Sequence, residues 1–184
     1  MATIYLTSGK KLVSYCLTEP NSGSDAASIR SIAKKDGDKY ILNGSKIFTS
    51  GAGSTDILLV MARTGDKSSG GISAFVLDAK SEGISYGKKE KKMGWNNQPT
   101  RSITFEDVEI PTNAVLGSEG GGFKIAMKGL DGGRINIATC SVGTAQAAID
   151  AAKKYMTERK QFGNQLSNIQ ALQFKISDMT TNIV

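Results

Sequence analysis

The sequence predicts an α+β fold: an antiparallel β-barrel or two-sheet domain followed by long antiparallel helices of an incomplete four-helix bundle. Two observations carry this. Short β-type segments punctuated by turn residues fill the chain up to about residue 117, and beyond that point apolar residues recur at alternating spacings of three and four. A third observation bounds the class: the 184 residues are 39% apolar and 22% charged, and no apolar run approaches the ~20 residues of a membrane helix. Neither a disordered nor a helical membrane-spanning chain fits that balance.

In order along the chain, strands are predicted over 15–18, 28–34, 39–42, 45–49, 56–63, 72–77 and 101–105. Asp36-Gly37-Asp38 and Asn43-Gly44 tolerate positive φ, and both are read as hairpin turns. The stretch 65–71 is read as a surface loop. Seven short strands at this spacing suggest a sandwich or barrel. A short helix is predicted over about 123–130, broken at Asp131-Gly132-Gly133. Ile135, Ala138, Val142, Ala145, Ile149, Ala152 and Met156 then form one stripe of a long helix, and Ile169, Leu172, Ile176, Met179 and Ile183 repeat the spacing. Gly163-Asn164 fits a reversal between them, so the two helices are expected to be antiparallel. Two such helices bury little by themselves, and the second runs to Val184 without a stop signal. The expectation is a bundle completed by further sequence, by another subunit, or by both. The expected organisation is an unmatched segment over 1–11, a β-domain over 12–117 and the start of a helical domain over 118–184.

Several chemistries are excluded. With no histidine, the chain supplies no Ser-His-Asp or Cys-His pair, no imidazole metal ligand and no imidazole proton shuttle. Cys16 and Cys140 stand far apart in sequence, give neither a disulfide framework nor a zinc spacing, and are expected to pack as small apolar side chains. Twenty-three Lys and Arg against 17 Asp and Glu leave a net charge of +6. The dense basic stretch Lys88-Lys89-Glu90-Lys91-Lys92 contains an acid and has only Tyr86 and Trp95 nearby for stacking, so it is read as a solvated loop rather than a nucleic-acid surface. The first eleven residues show no secretory signal and no organelle presequence.

The chemistry-bearing segments begin with Tyr15-Cys16-Leu17-Thr18-Glu19-Pro20-Asn21-Ser22-Gly23-Ser24-Asp25, a strand that turns into a hydroxyl- and glycine-rich loop. Such a loop offers N–H groups and hydroxyls to a polar ring or phosphate. Asn43-Gly44-Ser45-Lys46-Ile47-Phe48-Thr49-Ser50-Gly51 follows, then Phe105-Glu106-Asp107-Val108-Glu109-Ile110-Pro111, Gly120-Gly121-Gly122-Phe123, Asp131-Gly132-Gly133-Arg134 and Glu158-Arg159-Lys160-Gln161-Phe162-Gly163. Over about 12–184, these stretches resemble, in the same order, the acyl-CoA dehydrogenase family. The part matched is its middle β-domain and the start of its C-terminal helical domain. Within the family, Met93-Gly94-Trp95-Asn96-Asn97-Gln98-Pro99-Thr100 and the Gly-Gly-Arg-Ile-Asn-Ile-Ala run from Gly132 to Ala138 look most like members acting on short branched substrates such as isobutyryl-CoA of valine breakdown.

The resemblance implies FAD-dependent α,β-dehydrogenation of an acyl thioester, in which a carboxylate removes the α-proton and the β-hydrogen leaves as hydride to flavin N5. It implies an acyl-CoA substrate, electron-transferring flavoprotein as acceptor, a homo-oligomer (a tetramer in the family) and the mitochondrial matrix. Position by position, Tyr15, Leu17, Thr18, Gly23 and Ser24 would line the flavin, with Phe48, Thr49 and Ser50 as a second wall and Phe48 stacked on the ring. Ser24, Asp131, Gly132, Gly133 and Arg134 would hold the acyl-CoA, with Arg134 supplying positive charge. Arg159, Gln161, Phe162, Ile169 and Gln170 would reach a flavin bound mostly by another subunit. Some relatives carry the catalytic glutamate immediately before this arginine; here that residue is Gly133. No residue present is assigned as the base, and Glu19 is read as structural. The expected function is therefore that of a dehydrogenase fragment, inactive alone. The alternative is a non-catalytic assembly or binding module that joins full-length subunits.

Overall fold

The computed structural model describes residues 8–183. The reading of the amino-terminal segment as neither signal nor presequence falls mostly outside them. The chain forms two compact units, one ending at Lys128 and the other beginning at Gly129.

In the first unit seven strands join in one sheet: β1 Val13–Cys16, β2 Ile32–Asp36, β3 Lys39–Ser50, β4 Ile57–Arg63, β5 Ile72–Asp78, β6 Ile84–Tyr86 and β7 Thr100–Pro111. The order is β1-β4-β2-β3-β7-β6, with β5 on the free edge of β4. The sheet is mixed rather than purely antiparallel, because β4 runs parallel to β1 and, at Ile32↔Arg63, to β2. It also curls. Tyr40 on β3 and Phe75 on β5 meet edge to face at 5.2 Å between ring centroids, although β2 and β4 lie between their strands. A flat sheet would hold those strands about 14 Å apart.

The concave side of this half-barrel is filled by Cys16, Leu42, Leu58, Val60, Phe75, Ile103, Phe105 and their neighbours. On the other face of β4 and β5, Met61, Ile72 and Ala74 pack with Leu17, Ile29, Phe123 and Ala126. Both faces of β4 are thus covered, which accounts for its nearly unbroken apolar sequence Ile-Leu-Leu-Val-Met-Ala. The covering residues Phe123 and Ala126 belong to the first turns of helix α1, Gly122–Glu158. Gly122 permits this approach: a Cβ there would overlap the backbone of Ser73.

Two expectations are corrected. Asn43-Gly44 is not a hairpin turn but lies inside β3, which runs unbroken for 12 residues. The Asn43 side chain instead pairs with Asp107 of β7, donating from Nδ2 at 2.9 Å and accepting from the Asp107 N–H at 2.9 Å. The register shifts by one residue there, and Gly44, at φ +143°, passes so close to Ser31 that a Cβ would overlap it. The turn lies at Gly37, between β2 and β3. Nor does the helix break at Asp131-Gly132-Gly133: α1 continues through them for 37 residues. Two glycines cost a helix about 2 kcal/mol together, and an established helix propagates through such a cost. The Asp131–Arg134 ion pair at 2.9 Å bridges the stretch on its surface. β6 lies outside the expected strands, and β7 extends well beyond 101–105.

In the second unit α1 ends at a hairpin of β8 Lys160–Gln161 and β9 Asn164–Gln165, and α2 Gln170–Ile183 follows. Phe162 and Gly163 form the two-residue turn with φ of 52° and 79°, the conformation that suits a tight hairpin. A cleft of about 390 Å³ is lined by Ala145, Ile149 and Ala152 of α1 and by Met179 and Ile183 of α2, so these parts of the two helices adjoin. Cys140 is exposed rather than packed, whereas Cys16 is buried.

Candidate functional site

Of the residues predicted to line a flavin, Leu17, Thr18, Phe48, Thr49 and Ser50 gather where β1 leaves the sheet beside the end of β3. After Cys16 the chain turns through Pro20-Asn21, closed by reciprocal backbone hydrogen bonds between Glu19 and Ser22 at 2.9 and 3.1 Å. Glu19 is buried. Its carboxylate accepts from Lys46 Nζ at 2.8 Å and from the backbone N–H groups of Arg30 at 2.6 Å and Ser31 at 3.0 Å. Burial pushes the Glu19 carboxyl up, but Lys46 and these hydrogen bonds outweigh it and hold the group below the usual carboxylate range. Lys46 is fully buried and also donates to the Leu17 carbonyl at 3.1 Å. Burial lowers its ammonium more than Glu19 raises it. The Ile47 N–H completes the junction by donating to the Thr18 carbonyl at 2.9 Å.

Immediately beyond, β3 carries a bulge. Lys46 faces Ile103 and Thr49 faces Arg101, so β3 holds one residue more than β7 across this interval. Within it Phe48 adopts φ +53° and stays 62% exposed. A bulky aromatic in the left-handed region, with its ring in solvent, is a strained arrangement of the kind that collects at binding sites.

The neighbouring predicted residues divide. The hydroxyls of Thr18, Ser24 and Ser50 make no hydrogen bond among the described residues, while the Ser50 carbonyl is fixed by Ser14 Oγ at 2.8 Å. Thr49 is buried, and its Oγ1 has no hydrogen-bond partner among the described residues. Gly23 and Ser24 lie exposed in the loop. Tyr15 is committed elsewhere: its hydroxyl donates to the Ala126 carbonyl at 3.1 Å, and burial pushes its pKa up to about 12.

The remaining predicted residues belong to the second unit. Asp131, Gly132, Gly133 and Arg134 lie within α1 rather than in a turn, with Arg134 paired to Asp131. The Arg159 side chain follows the end of α1 without a partner among the described residues. Phe162, at the tip of the hairpin beside Gln161, is 99% exposed. Ile169 and Gln170 stand at the start of α2, exposed. Lys46 was missed as a partner for Glu19, though the sequence held a signal: the two-residue alternation of Tyr40 and Leu42 runs on to position 46 and puts a lysine at a core position.

Residues 14–108 match the family model of the acyl-CoA dehydrogenase middle domain, and residues 120–184 match the acyl-CoA dehydrogenase C-terminal domain. The chain belongs to the acyl-CoA dehydrogenase family. It is 55% identical over 175 residues to mitochondrial isobutyryl-CoA dehydrogenase of Bos taurus, covering 95% of this chain and 42% of that protein. A subunit of the caffeyl-CoA reductase-Etf complex of Acetobacterium woodii is 47% identical over 180 residues, covering 97% and 47%. The solved structure of butyryl-CoA dehydrogenase from Megasphaera elsdenii superposes with a TM-score of 0.94 at 46% identity, covering 98% of this chain and 48% of that one. The chain spans about half the length of the curated relatives it matches.

Proposed function

We propose that this chain holds the flavin of FAD beside an acyl-CoA thioester for α,β-dehydrogenation, with a short branched substrate, isobutyryl-CoA, as its ligand. The observation that carries the reading is Phe48, an exposed aromatic held at positive φ by a bulge that is itself bonded to the Thr18 loop. The donor set fits the group. Phe48 offers a flat apolar wall, and the free hydroxyls of Thr18 and Ser50 suit the polar edge of an isoalloxazine. Bound FAD would supply the two-electron acceptor. The chain's own residues bind and orient: Leu17, Thr18, Thr49 and Ser50 border the ring, and Ser24, Asp131, Gly132, Gly133 and Arg134 take the thioester ligand. Arg159, Gln161, Phe162, Ile169 and Gln170 reach a flavin held mainly by another copy in a homo-oligomer. Glu19 takes no part as a base, since Lys46 and two amides occupy its oxygens. No other residue here is assigned that role.

The 55% identical relative named for isobutyryl-CoA supports the substrate and a mitochondrial location. The relative named for an Etf complex supports an electron-transferring flavoprotein as acceptor. Adding FAD to the purified chain tests the reading. The expected result is saturable quenching of flavin fluorescence, loss of flavin on gel filtration, and no oxidation of isobutyryl-CoA with a dye acceptor. Fluorescence unaffected by a large excess of protein would overturn it. Exposure of Ile135, Val142 and Phe174 favours a second reading, a module that joins full-length subunits. Mixed oligomers on co-expression with an intact relative, without flavin binding, would select it.

A further inference from the structure

We propose that the buried Glu19–Lys46 pair is a positioning device that fixes the Leu17–Thr18 loop against the Phe48 bulge and thereby sets the opening in which a flavin ring is held; this rests on the flavin reading above. The two segments come from distant parts of the sequence, and the pair joins them at adjoining atoms. Lys46 stands two residues before Phe48, and its ammonium holds the Leu17 carbonyl and Glu19 Oε1 together. Glu19 follows Thr18 directly, and its carboxylate plane is fixed by three donors: Lys46 and the Ser31 amide at Oε1, and the Arg30 amide at Oε2. Apart from the pair, the hydrogen bond from Ile47 N–H to the Thr18 carbonyl ties loop to bulge. Stability alone does not call for charges here, because well-packed apolar side chains serve a core as well as a buried ion pair does. What the charges add is direction, since each donor must meet its acceptor along one line. Lys46 and Glu19 are positioning residues, acting through Thr18 and Phe48.

The test uses the 184-residue chain in four forms: wild type, Lys46→Met, the double variant Glu19→Gln/Lys46→Met, and Lys39→Met. The last removes the exposed pair with Glu109 elsewhere on β3 and serves as a control. Amide exchange, thermal unfolding and FAD titration by flavin fluorescence are read on each. In the wild type the amides of Arg30, Ser31 and Ile47 are expected to be protected like those of the sheet; exchange at open-loop rates would overturn the clamp without any variant. The double variant should melt within a few degrees of wild type, yet show those amides exchanging about tenfold faster and FAD binding about tenfold weaker. Lys39→Met should change neither. A folded double variant with unaltered exchange and FAD affinity would overturn the proposal. Protected amides in a wild type that binds no FAD would overturn the flavin reading and leave the pair a device of the fold.

Discussion

Phe48 and Glu19 make opposite demands on stability, and both can be tested singly. A residue with a Cβ pays about 1–2 kcal/mol to sit in the left-handed region, and Phe48, 62% exposed, recovers little of that by burial. Phe48→Gly should therefore leave the melting temperature unchanged or raise it, while loss of the aromatic wall weakens FAD binding about tenfold. A drop of several degrees on a thermal scan would show instead that the ring supports the fold. Glu19 behaves the other way. Its folded pKa is depressed by Lys46 and the hydrogen bonds it accepts, net of the burial that opposes them. Its contribution is therefore complete above the unfolded value of about 4.3 and is lost as pH falls through the lower folded value. Denaturant midpoints should fall on acidification through this window, and Glu19→Gln should flatten that part of the profile. The motif that contains Glu19 was readable. The strain at Phe48 was not, because φ at one residue is set by a bulge whose partner strand lies more than fifty residues away in sequence.

The elements show the same division between local and distant causes. Strand positions 56–63 and 72–77 were legible because apolar runs of that length, bounded by turn residues, have few other solutions. Asn43-Gly44 was misread because the same dipeptide serves a hairpin or a bulge, and Asp107 on β7 decides between them. Asp131-Gly132-Gly133 was misread because propensity argues locally, whereas α1 is a single cooperative element. These glycines make contrasting predictions. Gly44→Ala meets both a positive φ and the Ser31 backbone, and should cost roughly 1–3 kcal/mol by overpacking, visible as a lower urea midpoint at unchanged slope. Gly132→Ala has open space around it and should stabilise α1 by about 0.5–1 kcal/mol. If Gly132 provides room for the acyl-CoA ligand, the same substitution weakens binding of that thioester, so that stability and affinity move apart.

At the scale of the whole molecule, apolar burial differs sharply between the two units. The first has two clusters on the two faces of its curled sheet, with Leu58, Val60, Phe75 and Ile103 fully enclosed. In the second, Ile149 is the one buried apolar residue among those described, while Ile135, Ile137, Val142, Tyr155 and Phe174 remain largely exposed. The repeat of threes and fours named the right helices, but periodicity reports which side of a helix is apolar and not whether anything covers it. Helices draw most of their stability from burying such a stripe, so the second unit should open far more readily than the first. Amide exchange on the purified chain should therefore show the strand amides around Leu58, Val60 and Phe105 protected near the global limit, and residues of α2 exchanging orders of magnitude faster. Uniform protection across both units would mean that the exposed stripe is covered in solution, and dilution of the sample would then expose it and release those amides.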